Sequence, residues 1–466
     1  MIKRTADDRA WVGVRITVMG LGLFGGGVAA TRFAVSRGAR VTVTDVRTEQ
    51  GLAESLEALR GLPVRYVLGR HEEADFRQAD LVIVNPAVPR DSPYLAVARE
   101  AGVPLTTELL LFTERCAGKI IAVSGSNGKT TTTSLIGAIF RAHDQRTVVG
   151  GNLGRSLLTE ASSIEKGAPV VLEVSSFQLE WLGPAGWYPE IGVLTNISPN
   201  HLDRHGTYEA YIAAKRELLV HQPATASAVL NASDERLREM AEGLPGQVFW
   251  FDARGETGQG AWVSDQETVV FSWAGETLPI MPLADIPLLG LHNRENVLAA
   301  VAAARIGGVP QEAIAGAVKS FTPVEHRLEF VRELDRVRYY NDSIATTPES
   351  AICALRSFEP RQVVLIAGGY DKKLPFTELG REVAARAGGL IVLGTTAEKI
   401  AHAAESAGFP PEGIHRVGTL AEAVALARRV AQPGQVVSLS PACASYDQFR
   451  NFEERGRLFK ALVAQL

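Results

Sequence analysis

The stretch Ile121-Ala122-Val123-Ser124-Gly125-Ser126-Asn127-Gly128-Lys129-Thr130-Thr131 restricts what this chain can fold into more than any other. A short apolar run of buried-strand type breaks into glycines and then Lys-Thr, and Thr132 to Phe140 follows with helical apolar spacing. That order is a strand, a phosphate loop and a helix. Glycines let backbone N–H groups approach a polyphosphate, and the helix start adds positive partial charge. Lys129 neutralises outer phosphates, and the Thr130 hydroxyl can hold Mg²⁺. The implied ligand is a nucleoside triphosphate cradled by Gly125, Ser126, Asn127, Gly128, Lys129, Thr130 and Thr131. The full pattern places a glycine five residues before the Gly-Lys pair, where this chain has Val123. The plain alternative is a Gly-rich turn; Gly128-Lys129-Thr130 at the strand-to-helix switch weighs against it.

The 466 residues exceed one ordinary domain and point to about three. A charged fraction of 21% and a hydrophobic fraction of 46% are those of a soluble globular protein. The net charge of −4 argues against general affinity for nucleic acid, which needs excess Lys and Arg on one surface. Cys116, Cys353 and Cys443 have neither metal-ligand nor paired spacing, which favours a reducing compartment. Met1 to Trp11 lacks an apolar core of signal-peptide length, and no run of about twenty apolar residues offers a membrane span. A cytoplasmic enzyme without membrane association is the expectation.

Along the chain the strand-to-helix design recurs. Residues 15 to 19 read as a strand, followed by Gly20-Leu21-Gly22-Leu23-Phe24-Gly25-Gly26-Gly27, a helical stretch to Arg37, and a second strand ending at Asp45. This is a dinucleotide fingerprint with an acid placed for a ribose hydroxyl. Alone it suggests a nicotinamide-dependent oxidoreductase, although the glycines report only a phosphate-bearing nucleotide or tight helix packing. Asp80 to Val84 closes this first unit, which ends near Thr107. The second unit carries the phosphate loop, Gly151-Asn152-Leu153-Gly154 at a strand end, and Pro169 to Val174 with Glu173 near its end. Ile191 to Asn196 follows, then the ionisable cluster Asn200-His201-Leu202-Asp203-Arg204-His205 and a helix over 208–220 holding Lys215. Pro245 to Trp273 reads as an antiparallel edge. A third α/β unit starts near Val324, with strands ending at Asn341-Asp342-Ser343, at Gly368-Gly369 and before Ser440. Repeated strand ends bearing polar groups are what parallel sheets with a ligand-binding edge require.

Hard Mg²⁺ needs oxygen ligands beyond one threonine, and Glu173 is the first candidate. A capping or solvated role is the plain alternative for Glu173. An isolated His201 would more often be a structural histidine, but its dense polar cluster favours function. By spacing alone Lys215, next to Arg216, reads as solvent-facing.

These residues resemble the Mur ligases of peptidoglycan precursor synthesis across nearly the whole chain. The carriers are the phosphate loop, Gly151–Gly154, Glu173-Val174-Ser175-Ser176-Phe177-Gln178, Asn200–His205, Tyr211–Lys215, His292-Asn293-Arg294-Glu295-Asn296, Glu325-His326-Arg327-Leu328-Glu329 and Asn341-Asp342-Ser343. Ser440 to Gly456, SPACASYDQFRNFEERG, is similar to the glutamate-adding branch. The short phosphate loop is the family's own variant.

The resemblance implies a Rossmann-like UDP-binding domain over 1–107, a central ATP-binding domain over 108–323 and a Rossmann-like amino-acid-binding domain over 324–466. Gly22, Leu23, Phe24, Asp45 and Arg47 would then line a uridine diphosphate site, and Asn152, Ser175 and Gln178 would face the sugar-peptide. Thr130, Glu173 and His201 would serve two Mg²⁺ ions, and Lys215 would carry a CO₂-derived carbamate. Lys129, Glu173, His201 and Lys215 form the implied catalytic set. Asn293, Asn296, Arg327 and Asp342 would contact the nucleotide, and His326, Thr346, Lys372, Ser445 and Phe452 the incoming amino acid. The implied enzyme is a monomeric ATP-dependent amide-forming ligase that proceeds through an acyl phosphate and assembles its site by domain closure.

Two positions depart from the family pattern. Asn200 stands where Asp is more usual, and Ile344 where the common pattern has a Lys near the amino-acid carboxylate. Lys372, Lys373 or Thr346 could compensate for the missing cation. The C-terminal signature favours D-glutamate, with L-glutamate as the alternative. The oxidoreductase reading and a non-catalytic nucleotide-binding regulator both leave the combined motifs unexplained.

Overall fold

The computed structural model describes residues 11–23, 25–153, 156–322 and 324–466. Three sheets account for the strands. The first comprises β1 (Arg15–Met19), β2 (Arg40–Asp45), β3 (Val64–Leu68), β4 (Leu81–Val84) and β5 (Leu105–Thr106), in the order β3-β2-β1-β4-β5. All of its pairings are parallel. Because β1 is flanked by β2 on one side and β4 on the other, the carboxyl ends of β1 and β4 open a crevice at a topological switch point. Neither β3 nor β5 is anticipated from the sequence.

The second sheet is built on β6 (Lys119–Ser124), which leads into the phosphate loop. With it come β7 (Val148–Gly151), β8 (Pro169–Glu173), β9 (Ile191–Leu194), β10 (Ser227–Asn231), β11 (Gln247–Asp252), β12 (Gly260–Val263), β13 (Thr268–Trp273) and β14 (Glu276–Pro282). The order is β14-β13-β12-β11-β10-β9-β6-β8-β7. Strands β6, β8 and β9 are almost wholly buried, which is why they read as unbroken apolar runs rather than alternating ones.

The expected antiparallel edge over Pro245–Trp273 needs correction. Strand β11 runs parallel to β10, and β12 runs parallel to β11; only β13 and β14 are antiparallel. Strand β12 pairs with just Trp250 to Asp252 of β11. The connecting loop therefore doubles back by only a few residues, and a short connection suffices. Apolar alternation does not encode strand direction. The helix expected over 208–220 is also shorter, running Tyr208–Arg216 before passing into turns.

The third sheet has β15 (Glu329–Leu334) antiparallel to β16 (Val337–Asn341) at one edge. The rest are parallel: β16, β20 (Val436–Leu439), β17 (Val363–Gly368), β18 (Ala387–Leu393) and β19 (Ile414–Arg416), in that spatial order. The chain divides into two compact units. The first runs to Leu283 and includes Val297–Val318, so it contains the first two sheets; the second is Ala284–Asn296 with Lys319–Leu466. Among the described residues no helix is long and apolar enough to cross a membrane.

Candidate active site

In the first unit, functional side chains gather where β6, β8 and β9 end. Val123 is fully buried inside β6, opposite Glu173 and Val193. A glycine there would weaken the strand, and the loop turns only at Gly125, which accounts for the missing upstream glycine. Gly125 has φ 142°, and a Cβ there would overlap the Thr195 hydroxyl. Gly128 takes φ 81° and caps the helix Lys129–His143. Both conformations lie where side chains are disfavoured. The loop is braced from β9: Asn127 N–H donates to Asn196 Oδ1 at 2.9 Å, and Thr195 Oγ1 donates to the Asn127 carbonyl at 2.5 Å. Ser126 Oγ reaches the Ser198 carbonyl and the Tyr211 hydroxyl, each at 2.9 Å. Thr131 Oγ1 is buried without a hydrogen-bond partner.

Thr130 Oγ1 donates to Glu173 Oε2 at 2.8 Å, and Asn152 Nδ2 donates to Glu173 Oε1 at 2.9 Å. Thr130 from the helix after the phosphate loop and Asn152 from the end of β7 thus meet at the carboxylate of Glu173, at the end of β8. Gly151, at φ 88°, permits this approach, because a Cβ there would overlap the Glu173 carbonyl oxygen. Lys129 Nζ folds back onto the carbonyls of Gly125 and Ser126 at 3.0 and 2.8 Å.

Lys215 reverses the spacing-based expectation of a solvent-facing residue. It is only 1% exposed. Its Nζ donates to the Gly125 carbonyl at 2.8 Å and lies 4.7 Å from the centre of the Tyr211 ring. Burial, reinforced by the nearby Lys129 charge and opposed by Glu173, holds its pKa well below the usual lysine value. The helix Tyr208–Arg216 presents Tyr211, Ala214 and Lys215 inward, a spacing of one helical face. His201, at φ 52°, starts the short helix Leu202–His205, and its ring sits edge-on to Phe177 at 4.9 Å.

His205 is a structural element that sequence reading did not separate from its cluster. It bonds Glu180 Oε1 and Ser176 Oγ, both at 3.0 Å, and stacks on Phe177. Burial lowers its pKa, against the raising influence of Glu180. Arg204 Nη2 donates to the Val88 carbonyl at 3.0 Å, tying this loop to the turn after β4.

A cavity of about 270 Å³ opens beside these groups, between the ends of β1 and β4 and the second sheet. Its lining includes Gly26, Gly27, Asn85, Glu108, Asn152 and Gln178. Ser175 lines it too and forms a capping box with Gln178 on the helix Ser176–Leu182. Asp45 is buried, and its carboxylate accepts from the N–H groups of Gly22 at 3.2 Å and Arg47 at 2.9 Å. The acid read as a ribose ligand thus braces the glycine turn. Leu23 and Arg47 are exposed, and Phe24, like Gly154, lies outside the described residues.

In the second unit, Asp342 follows β16 and accepts from Leu328 N–H at 3.1 Å. Burial pushes its pKa up to about 7, against lowering by Arg327, the Leu328 N–H and Ser440. Asn296 Nδ2 donates to Asn293 Oδ1 at 3.1 Å, and both residues are buried. His326 is buried, 2.8 Å from Asn341 Nδ2 and edge-on to Phe452 at 6.1 Å. Ser445 is buried and its carbonyl caps the turn to Gln448 and Phe449. Ile344 is half-buried. The Lys372 ammonium lies 3.5 Å from the Thr346 carbonyl, so a cation does stand beside this turn. Arg455, missed in the sequence reading, is 2% exposed and donates to Ser343 Oγ at 3.0 Å and to the Ser343 and Cys443 carbonyls at 2.8 and 3.1 Å. It binds the turn after β16 to the loop after β20.

Three family regions match the chain in sequence: the Mur ligase MurD-like N-terminal domain at residues 14–107, the Mur ligase middle domain at 123–304 and the Mur ligase glutamate ligase domain at 326–443. A UDP-N-acetylmuramoylalanine--D-glutamate ligase of Roseiflexus sp. (strain RS-1) is 46% identical over 97% of this chain and 98% of its own length. The chain belongs to the Mur ligase family. A second relative of the same name, from Symbiobacterium thermophilum, is 44% identical with the same coverages. Among solved structures, UDP-N-acetylmuramate-alanine ligase of Thermotoga maritima superposes with a TM-score of 0.60 at 21% identity, covering 97% of this chain and 99% of that one. A pseudomurein peptide ligase type C of Methanothermus fervidus gives 0.59 at 16% identity, with the same coverages. These two carry the fold: the three-domain α/β architecture of the Mur ligases. The oxidoreductase and non-catalytic readings give way to an ATP-dependent ligase of small-molecule substrates.

Proposed function

We propose that this Mur ligase joins the amine of D-glutamate to the alanine carboxylate of UDP-N-acetylmuramoyl-L-alanine, releasing ADP and phosphate, and does so as a cytoplasmic monomer in cell-wall precursor synthesis. The carrying observation is the convergence of Lys129, Thr130, Glu173 and Lys215 on one sheet edge, in a chain matched end to end by D-glutamate ligases. The domains run 1–107, 108–323 and 324–466. Gly22, Leu23, Phe24, Asp45 and Arg47 serve the UDP end, and Asn152, Ser175 and Gln178 the sugar-peptide.

A carboxylate is a poor electrophile, so ATP first phosphorylates it. Phosphoryl transfer is governed by positioning and charge stabilisation, for which the loop N–H groups and Lys129 are suited. The Thr130 hydroxyl and Glu173 carboxylate are hard oxygen donors 2.8 Å apart, which fits Mg²⁺. Thr130, Glu173, His201 and a modified Lys215 would hold two Mg²⁺ ions, which would supply positive charge against the transferring phosphoryl group. Burial lowers the Lys215 pKa, which favours the nucleophilic neutral amine; its nitrogen would form the new C–N bond with CO₂ as one C=O π pair moves onto oxygen, and the proton released from nitrogen would pass to water, leaving a carbamate anion. The glutamate amine then attacks the acyl phosphate, and the tetrahedral intermediate expels phosphate.

Asn293, Asn296, Arg327 and Asp342 serve the nucleotide, and His326, Thr346, Lys372, Ser445 and Phe452 the amino acid. Lys372 takes over the charge that Ile344 does not provide. The test is to follow ADP release from the purified protein with UDP-N-acetylmuramoyl-L-alanine, ATP, Mg²⁺ and each glutamate enantiomer. Turnover with D-glutamate is expected. No ADP with either enantiomer overturns the ligase assignment, and turnover with L-glutamate alone overturns the stereochemistry.

A further inference from the structure

One ionisable side chain lining the first-unit cavity has no part in the chemistry above. Glu108 opens the helix Glu108–Thr113, whose N-cap Thr107 accepts from Leu110 N–H. Leu109 through Phe112 are packed into the core, so the helix is fixed and Glu108 is its polar end on the cavity wall. The Ser156 hydroxyl, from the segment after β7, donates to Glu108 Oε1, so the carboxyl is aimed as well as placed. Burial raises its pKa above the usual carboxylate range, opposed by the Ser156 bond. No lysine or arginine is among the described residues lining the cavity.

The position along the substrate follows from the walls. Gly26 and Gly27, at the start of the helix Gly26–Ser36, line the cavity and offer a helix start suited to phosphates. Asn152 lines it too and bonds Glu173, at the proposed phosphorylation site. In a UDP-linked sugar-amino acid, the group between diphosphate and reacting carboxylate is the sugar. A carboxyl facing the diphosphate would repel it once ionised, whereas a sugar hydroxyl or N-acetyl amide gives it a hydrogen bond. Resting on the ligase reading above, we propose that Glu108 is a binding residue for the sugar of the UDP-linked substrate, its carboxyl held in position by Ser156.

The experiment measures steady-state constants for Glu108→Ala, Glu108→Gln and Ser156→Ala, once the unaltered protein has shown turnover. Failure of that turnover refutes the ligase reading, not this assignment. Loss of one uncompensated hydrogen bond predicts that Glu108→Ala raises KM for the UDP-sugar substrate roughly tenfold, with KM for ATP and glutamate within about twofold. Ser156→Ala shifts the same constant less, and Glu108→Gln, which keeps a hydrogen-bonding head, recovers most of the loss. UDP alone, as a competitive inhibitor, retains its inhibition constant in Glu108→Ala because it lacks the sugar. An unchanged KM for the UDP-sugar, a parallel rise in all three KM values, a Gln variant no better than Ala, or an equal loss of UDP inhibition each overturns the assignment.

Discussion

Asp342 allows a quantitative test of the second unit. It is 5% exposed, and its pKa is pushed from 3.8 up to about 7, burial outweighing Arg327, the Leu328 N–H and Ser440. A folded-state pKa raised above the unfolded value gives stability that is fully present below the unfolded pKa and is lost as pH rises through the folded one. The difference, 7 − 3.8 = 3.2 units, corresponds to roughly 4 kcal/mol in total, of which about 2.5 kcal/mol falls between pH 5 and pH 8. Asp342→Asn keeps the shape and the acceptor for Leu328 N–H while removing the titration. The tryptophans all lie in the first unit, so the readout is amide hydrogen exchange in peptides covering β16 and β20. The opening free energy of the unaltered protein should fall by roughly 2–3 kcal/mol more than that of Asp342→Asn over this range. Titrations common to both proteins cancel in that difference. Equal pH dependence in the two would refute the reasoning, since it would mean that Arg327 keeps the carboxyl ionised in the folded state.

Lys215→Ala should abolish turnover, with partial rescue by short carboxylates in the vacated space; full activity in the variant refutes the carbamate role. Lys372→Ala removes the cation beside Thr346 and should raise KM for glutamate about tenfold or more, with KM for the UDP-sugar little changed; equal changes in both would assign Lys372 a structural role. Gly151→Ala forces a side chain into left-handed backbone against the Glu173 carbonyl and should cost roughly 2–4 kcal/mol in urea unfolding of the first unit. A loss below about 0.5 kcal/mol would show that β7 moves aside freely.

What the sequence exposes and what it hides divide along physical lines. The phosphate loop is legible because its conformation demands glycine at Gly125 and Gly128 and its helix must follow at once. Glu173 and Asp342 are legible because parallel strands end in polar groups. Lys215 is not: spacing places it on a helix, but its burial depends on Ser124 at the end of β6 and on Gly125, about ninety residues away in the chain. Arg455 is hidden for the same reason, its partners being Ser343 and Cys443. Strand β3 escapes notice because two of its five residues, Arg65 and Tyr66, are exposed at a sheet edge, which breaks the apolar run. Asp45 is legible from its motif position after β2, whereas its bonds to the Gly22 and Arg47 N–H groups are visible only in the fold.

Lys129 at the phosphate loop and Lys215 on the helix Tyr208–Arg216 explain one another. Both Nζ atoms donate to the Gly125 carbonyl, Lys129 at 3.0 Å and Lys215 at 2.8 Å. One neutral acceptor does not offset two cations, and in a buried setting their repulsion is stronger than in water. Lys215, the more buried of the pair, has its pKa lowered by burial and by the Lys129 charge, which favours its neutral amine. Neutrality alone would leave a buried amine with little purpose beside Glu173. Its proposed conversion to a carbamate would turn the like-charge pair with Lys129 into an opposite-charge pair, and the anion it sets near Glu173 would call for a cation such as Mg²⁺ between the two. A lysine that is poorly suited to this position as a cation is thus well suited to it as a carbamate.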